Sequence, residues 1–187
     1  MAELKTFLAS KFKFSESETE KILQCFNAKK INKKEFFLQE DQICTSIAYV
    51  VKGAFIFSQN IDGEEKICDF GFEGDWLAQY KSLLSQQPSE LSIQATEHSL
   101  IQVMDLEKMD QLMKTLPSVH TLRSTLAEEY FTKSTQRATN LTNLDAAARY
   151  SALLEELPDI HQRMPQYYIA SYLGIKPQSL SRIRRAK

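Results

Sequence analysis

The residues best placed to do chemistry lie near the end of the sequence. Gln178, Arg182 and Arg185 recur at i, i+4 and i+7, so a helix would present them on one face. A guanidinium carries a planar fork of donors that matches the N7 and O6 edge of guanine, and a carboxamide matches adenine. Arg182 is therefore the candidate base reader, with Gln178 one turn earlier reading adenine or a phosphate. Ser179 and Ser181 are candidate backbone or base contacts, and Arg184, Arg185 and Lys187 suit phosphates, which position a protein without specifying a sequence. The surrounding residues supply the scaffold. Leu180 and Ile183 are three apart and can seat this helix on an earlier one that carries Ile169 and Leu173. Ala170 is small where two helices must approach, Gly174 suits a turn at positive φ, and Pro177 suits a first helical turn. Pro165–Lys187 thus reads as a helix-turn-helix with a basic outer face, a chemistry of polyanion binding.

Charge supports that reading. From His161 to Lys187 there are six Lys or Arg and no Asp or Glu; with the whole chain at −1, the remainder carries −7. A basic end on an acidic body localises attraction to nucleic acid. Other chemistries lack their residues. His98, His120 and His161 are scattered, and Cys25, Cys44 and Cys68 match neither zinc spacing nor Cys-x-x-Cys. No Ser/His/Asp set, paired-carboxylate pocket or glycine-rich phosphate loop stands out, so neither an enzyme nor a metal or cofactor is expected. No apolar run is long enough for a bilayer, and the first residues lack a secretory signal, so the expected location is the cytoplasm, away from the membrane.

Several elements must position the basic end. Leu4, Phe7, Leu8 and Phe12 are spaced for one helix face, and Ser15 with Glu18 forms a capping box before Ile22, Leu23 and Phe26; helix is expected over residues 3 to about 28. From about Lys34, six short β-rich segments follow: 35–39, 47–51, 54–58, 66–72, 91–96 and 99–104. Lys52-Gly53 and the hairpin signal Asp62-Gly63 join them. Closely spaced antiparallel strands of this kind suggest a sandwich or jelly-roll barrel. Helix resumes at Leu106, and Pro117 opens a long helix whose Val119, Leu122, Leu126 and Tyr130 form an apolar seam. That seam requires either the barrel or a second copy of the chain. Another helix runs from Ala146 to Leu157, stopped by Pro158.

This order, together with Tyr49-Val50-Val51-Lys52-Gly53-Ala54, Gly63, Gly74-Asp75-Trp76 and the segment Asn143–Arg149, resembles the Crp/Fnr family of transcription regulators over residues 36 to 187. The resemblance implies an α+β chain: an N-terminal cyclic-nucleotide-binding-like jelly-roll β-barrel over 1–115, a long dimerisation helix over 116–143, and a C-terminal helix-turn-helix over 144–187. It implies a homodimer that binds double-stranded DNA, responds to a small-molecule effector and contacts RNA polymerase.

Two departures qualify the resemblance. The family's phosphate cassette opens with Gly-Glu and closes with Arg-Ser, the glutamate holding a ribose hydroxyl and the arginine the cyclic phosphate. Here Gln79 stands at the glutamate and Ser89-Glu90 at the arginine and serine, with Lys81 the nearest cation. An anion in a partly buried pocket needs a positive partner and Glu90 would repel it, so cyclic AMP is not expected to bind in the family's manner. Ser134 and Thr135 stand where the family's long helix reaches the purine. The family also usually carries a β-hairpin wing after the recognition helix, whereas this sequence stops at Lys187; wing contacts to the DNA backbone are expected to be absent. The alternative is a ligand-sensing or protein-interaction module with a vestigial DNA-binding motif.

Overall fold

The computed structural model describes residues 2–185. Two helices, α1 (Ala2–Phe12) and α2 (Glu16–Gln24), open the chain. The capping box expected at Ser15 is formed: Glu18 N donates to Ser15 Oγ at 3.3 Å, and Ser15 N donates to Glu18 Oε2 at 2.9 Å.

Eight strands follow, interrupted by one short helix. They are β1 (Asn27–Ile31), β2 (Phe36–Leu38), β3 (Ser46–Lys52), β4 (Phe55–Ile61), β5 (Glu64–Gly71), β6 (Trp76–Leu77), β7 (Ser92–Ala95) and β8 (Ser99–Asp105). They form two antiparallel four-stranded sheets of order β1-β8-β3-β6 and β2-β7-β4-β5. The sheets enclose a core with Phe55, Phe57, Leu77, Ile93 and Ile101, and helices α1 and α2 extend it with Leu4, Leu8 and Ile22. Strand β1 falls in a stretch divided between expected helix and unassigned residues. Its sequence, NAKKI, has four exposed residues of five and no alternating pattern, as suits a charged edge strand.

The hairpin between β4 and β5 turns at Asp62 and Gly63, with φ of 54° and 82°, as the Asp-Gly signal predicts. A bulge adds one residue, Cys68: Phe57 pairs with Asp69, but Ser58 pairs with Ile67. Ile56, paired with Phe70, and Ser58, paired with Ile67, therefore share the outer face.

Helix α3 (Tyr80–Ser85) lies between β6 and β7. After the barrel come α4 (Leu106–Thr115) and the 25-residue α5 (Val119–Asn143). Val119, Leu122 and Leu126 are buried in the barrel core, so the apolar seam read from sequence meets the barrel. Four helices complete the described chain: α6 (Ala146–Glu156), α7 (Ile160–Arg163), α8 (Gln166–Tyr172) and α9 (Pro177–Arg185). Asp145 caps α6 by accepting from Ala148 N at 2.8 Å. These helices share a second core with the outer face of β4 and β5: Ile56, Ile67 and Phe70 pack with Tyr150, Ile169, Ala170 and Leu173.

Candidate functional site

The basic helix is built as its spacing requires. The turn before it runs through Gly174 at φ 67°, and Ile175 N donates to Ala170 O at 3.0 Å. Leu180 is fully buried and Ile183 half-buried, which seats α9 on α8. The opposite face points to solvent. Gln178, Arg182 and Arg185 lie on it; Ser179 and Arg184, at the flanks of the seat, are exposed too, and none of these arginines is ion-paired among the described residues. Such a row of free donors can engage phosphate oxygens and base edges. Ser181 differs: it is half-buried and its Oγ accepts from Gln166 Nε2 at 2.6 Å, tying α9 to the start of α8. Lys187 lies outside the described residues.

Of the other two basic residues of this end, Lys176 is exposed and Arg163 faces inward. Its guanidinium reaches Glu73 at 2.6 and 3.1 Å and Glu97 at 2.5 Å, and it lies 5.1 Å from the Phe72 ring centroid. Burial opposes ionisation of Glu73, but the Arg163 hydrogen bonds and the Gly53 N–H outweigh it and hold the carboxyl at about 2. The Arg163 charge therefore anchors α7 to the barrel instead of facing a polyanion.

Two further arginines join the same units. Arg137 of α5 donates through Nη2 to Ile67 O of β5 at 2.9 Å and to Tyr172 O of α8 at 3.4 Å, with its guanidinium 4.6 Å from the Tyr172 ring centroid. Arg149 donates through Nε to Leu173 O at 3.1 Å and through Nη1 to Leu144 O at 2.6 Å. Ser171 Oγ accepts from Ile67 N at 3.0 Å. Barrel, long helix and terminal helices thus meet at one joint. Sequence reasoning missed it because most of these partners are backbone groups, which leave no residue-type signature.

The cassette residues are already engaged. Gln79 is buried and its side-chain oxygen caps α3 by accepting from Ser82 N. Ser82 Oγ accepts from Cys44 N at 2.9 Å and donates to Gln87 O at 2.5 Å. Ser89 is buried and donates to Leu91 O at 2.7 Å. Lys81 and Glu90 pair with each other on the surface. Tyr80 stacks on Tyr130 of α5, ring centroids 5.0 Å apart. Gln79, Ser89, Lys81 and Glu90 thus all spend polar groups on partners within the protein. Ser134 and Thr135 are exposed on α5, and Ser134 Oγ donates to Phe131 O at 3.0 Å.

His161 accepts or donates at 2.7 Å to the Tyr150 hydroxyl within the second core, a packing role. Among the described residues no group of three or more His, Cys, Asp or Glu is placed to hold a metal, and no helix is long and apolar enough to cross a membrane.

Comparison with known proteins places this architecture. Residues 28–116 match the cyclic nucleotide-binding domain family. No curated protein matches the chain in sequence. Among solved structures, FixK2 from Bradyrhizobium japonicum superposes with a TM-score of 0.76 at 18% identity, covering 86% of this chain and 83% of that one. The c-di-GMP responsive global regulator CLP of Xanthomonas campestris gives 0.72 at 14% identity, covering 92% and 91%. A protein from Eubacterium rectale assigned to the Crp/Fnr family gives 0.70 at 18% identity, covering 93% and 83%. At these identities the likeness is one of fold. Residues 28–116 thus match the cyclic nucleotide-binding domain family, and the chain shares the fold of these three solved structures.

Proposed function

We propose that this chain is a cytoplasmic, DNA-binding regulator of transcription that acts as a homodimer, with α8 and α9 as its helix-turn-helix. The observation that carries this reading is the outer face of α9, where Gln178, Arg182 and Arg185 stand in a row, exposed, with neither arginine ion-paired among the described residues. Arg182 reads a guanine edge, Gln178 an adenine edge or a phosphate, and Ser179, Arg184 and Arg185 hold the backbone. Ser181 serves the motif from inside, through its bond to Gln166. RNA polymerase is the downstream partner this reading implies.

Pairing uses the face of α5 turned away from the barrel. Ser124, Phe131, Ser134, Ala138 and Leu141 lie there, with Ala127 at the edge where it also packs against the barrel core; the six recur at alternating steps of three and four, and Phe131 is 69% exposed. This is a heptad seam with small residues at several positions, suited to close approach of two helices. A two-fold pair presents two copies of α9 to half-sites about one DNA turn apart.

The barrel is a sensor that does not take cyclic AMP in the usual way, because Gln79, Ser89 and the Lys81–Glu90 pair leave no cation free for the phosphate. The division of the chain into a sensor over 1–115, the pairing helix over 116–143 and the DNA-binding part over 144–187 belongs to this reading.

Fluorescence anisotropy against genomic fragments tests it. Binding should weaken steeply with salt, by about 0.9 log units in affinity per log unit of salt for each phosphate neutralised. Arg182→Ala should weaken the best site by about 1–3 kcal/mol and relax its base preference, while Arg184→Ala should weaken all sequences alike. Absent or salt-independent binding, indifferent to Arg182→Ala, would refute the reading and leave a module that acts through protein contacts.

A further inference from the structure

An opening lies beside α3. It sits between α3, α4 and the first turns of α5, with Ile47 of β3 at its back, and measures about 450 Å³. That is within the range of roughly 300–1,000 Å³ common to small-molecule sites. Its floor is apolar: Leu83, Met109 and Leu126 line it and are buried from bulk solvent.

The polar lining is Tyr80, His120, Thr121, Arg123 and Ser124. Arg123 is the only charged lining residue, beside His120. Asp110 does not line the cleft; it holds Arg123 Nη1 at 3.0 Å and leaves Nε and Nη2 of the guanidinium as donors. Tyr80 also lines it, and burial, with the nearby Glu129 carboxylate adding to the effect, keeps its hydroxyl protonated. An apolar floor with donors and a cation along its wall complements a ligand that is apolar at one end and acidic at the other.

We propose that this cleft binds one amphipathic carboxylic acid per chain, its hydrocarbon part against Leu83, Met109 and Leu126 and its carboxylate facing Arg123. The mouth borders Ser124 and Ala127, part of the α5 face assigned above to pairing, so the bound acid touches the helix at the point where a second copy would approach. The site itself does not depend on DNA binding or on pairing, and it stands if either fails.

The test uses the full chain and the straight-chain acids hexanoate, octanoate and decanoate below their micellar concentrations, followed by calorimetry. One site per chain is expected, with affinity rising about fourfold per added methylene. Arg123→Gln should weaken decanoate at least tenfold while leaving decanol unchanged. Leu83→Trp should abolish binding of both by filling the cleft. Should that variant melt early by circular dichroism, Thr121→Phe closes the mouth from an exposed position and should do the same. No binding, binding without dependence on chain length, or binding unaltered by both the filling and closing variants overturns the proposal. So does a cleft that admits no acid because a second copy of the chain occupies it, read as decanoate binding only to a Phe131→Asp monomer.

Discussion

Gly53 has a φ of 124°, and a methyl group added there would meet Ser99 Oγ at 2.0 Å and Ser99 Cα at 2.8 Å. Its N–H also donates to Glu73 Oε1 at 2.8 Å, beside the Arg163 anchor. Backbone strain and a collision with β8 therefore act together, and Gly53→Ala should destabilise the fold by about 2–4 kcal/mol in equilibrium denaturation. Asp69 offers a test by pH. Burial pushes its carboxyl up to about 6, against the Phe70 N–H, Lys133 and Arg137, with Asp75 adding to the rise. The folded protein then holds a proton that the unfolded chain has already lost above about 3.9. Stability should fall as pH rises from about 4 to about 6, by an amount on the order of 2 kcal/mol, and level off above. Asp69→Asn should flatten that slope in a series of melts and raise stability at neutral pH.

At the scale of elements, the terminal helices are held to the barrel by named contacts. Removing the guanidinium in Arg163→Gln leaves Glu73 and Glu97 without their shared cation, while the apolar contact of Ile67 and Phe70 with α8 remains. These ion pairs are partly exposed, so solvent screening limits each to about 1 kcal/mol or less. Global stability should change little. The amides of Ile67 and of α8 should exchange hydrogen about threefold to tenfold faster, because local opening costs less than unfolding. The Glu73 contribution is present above the ordinary carboxylate range and is lost as pH falls from about 4 toward about 2, so acid should release the terminal helices in the same way. Unchanged exchange in Arg163→Gln would mean that the apolar contact alone sets the joint.

At the scale of the whole molecule, one long helix serves two surfaces. The inner seam of α5 is buried by the barrel, and the outer seam centred on Phe131 is open. Phe131→Asp should convert the pair to a monomer in sedimentation velocity while leaving the thermal melt within a few degrees, since an exposed side chain contributes little to the monomer core. Cooperative binding to two half-sites should vanish with it. A chain that sediments as a monomer before mutation would remove the two-half-site geometry.

The sequence by itself determined the local features whose signals are short-range. The capping box at Ser15 and Glu18, the Asp62-Gly63 hairpin, the glycine turn at Gly174 and the outward row of Gln178 and Arg182 all follow from neighbours within a turn or two. Tertiary structure alone decided which partner each face met. It assigned the Val119–Leu126 seam to the barrel, turned Arg163 inward to Glu73 and Glu97, and drew Ser181 into a bond with Gln166. It also brought Arg137 and Arg149 onto backbone carbonyls far away in sequence. Periodicity gives the direction of a side chain about its own helix or strand. Only the packing of distant elements supplies the atom that side chain then meets.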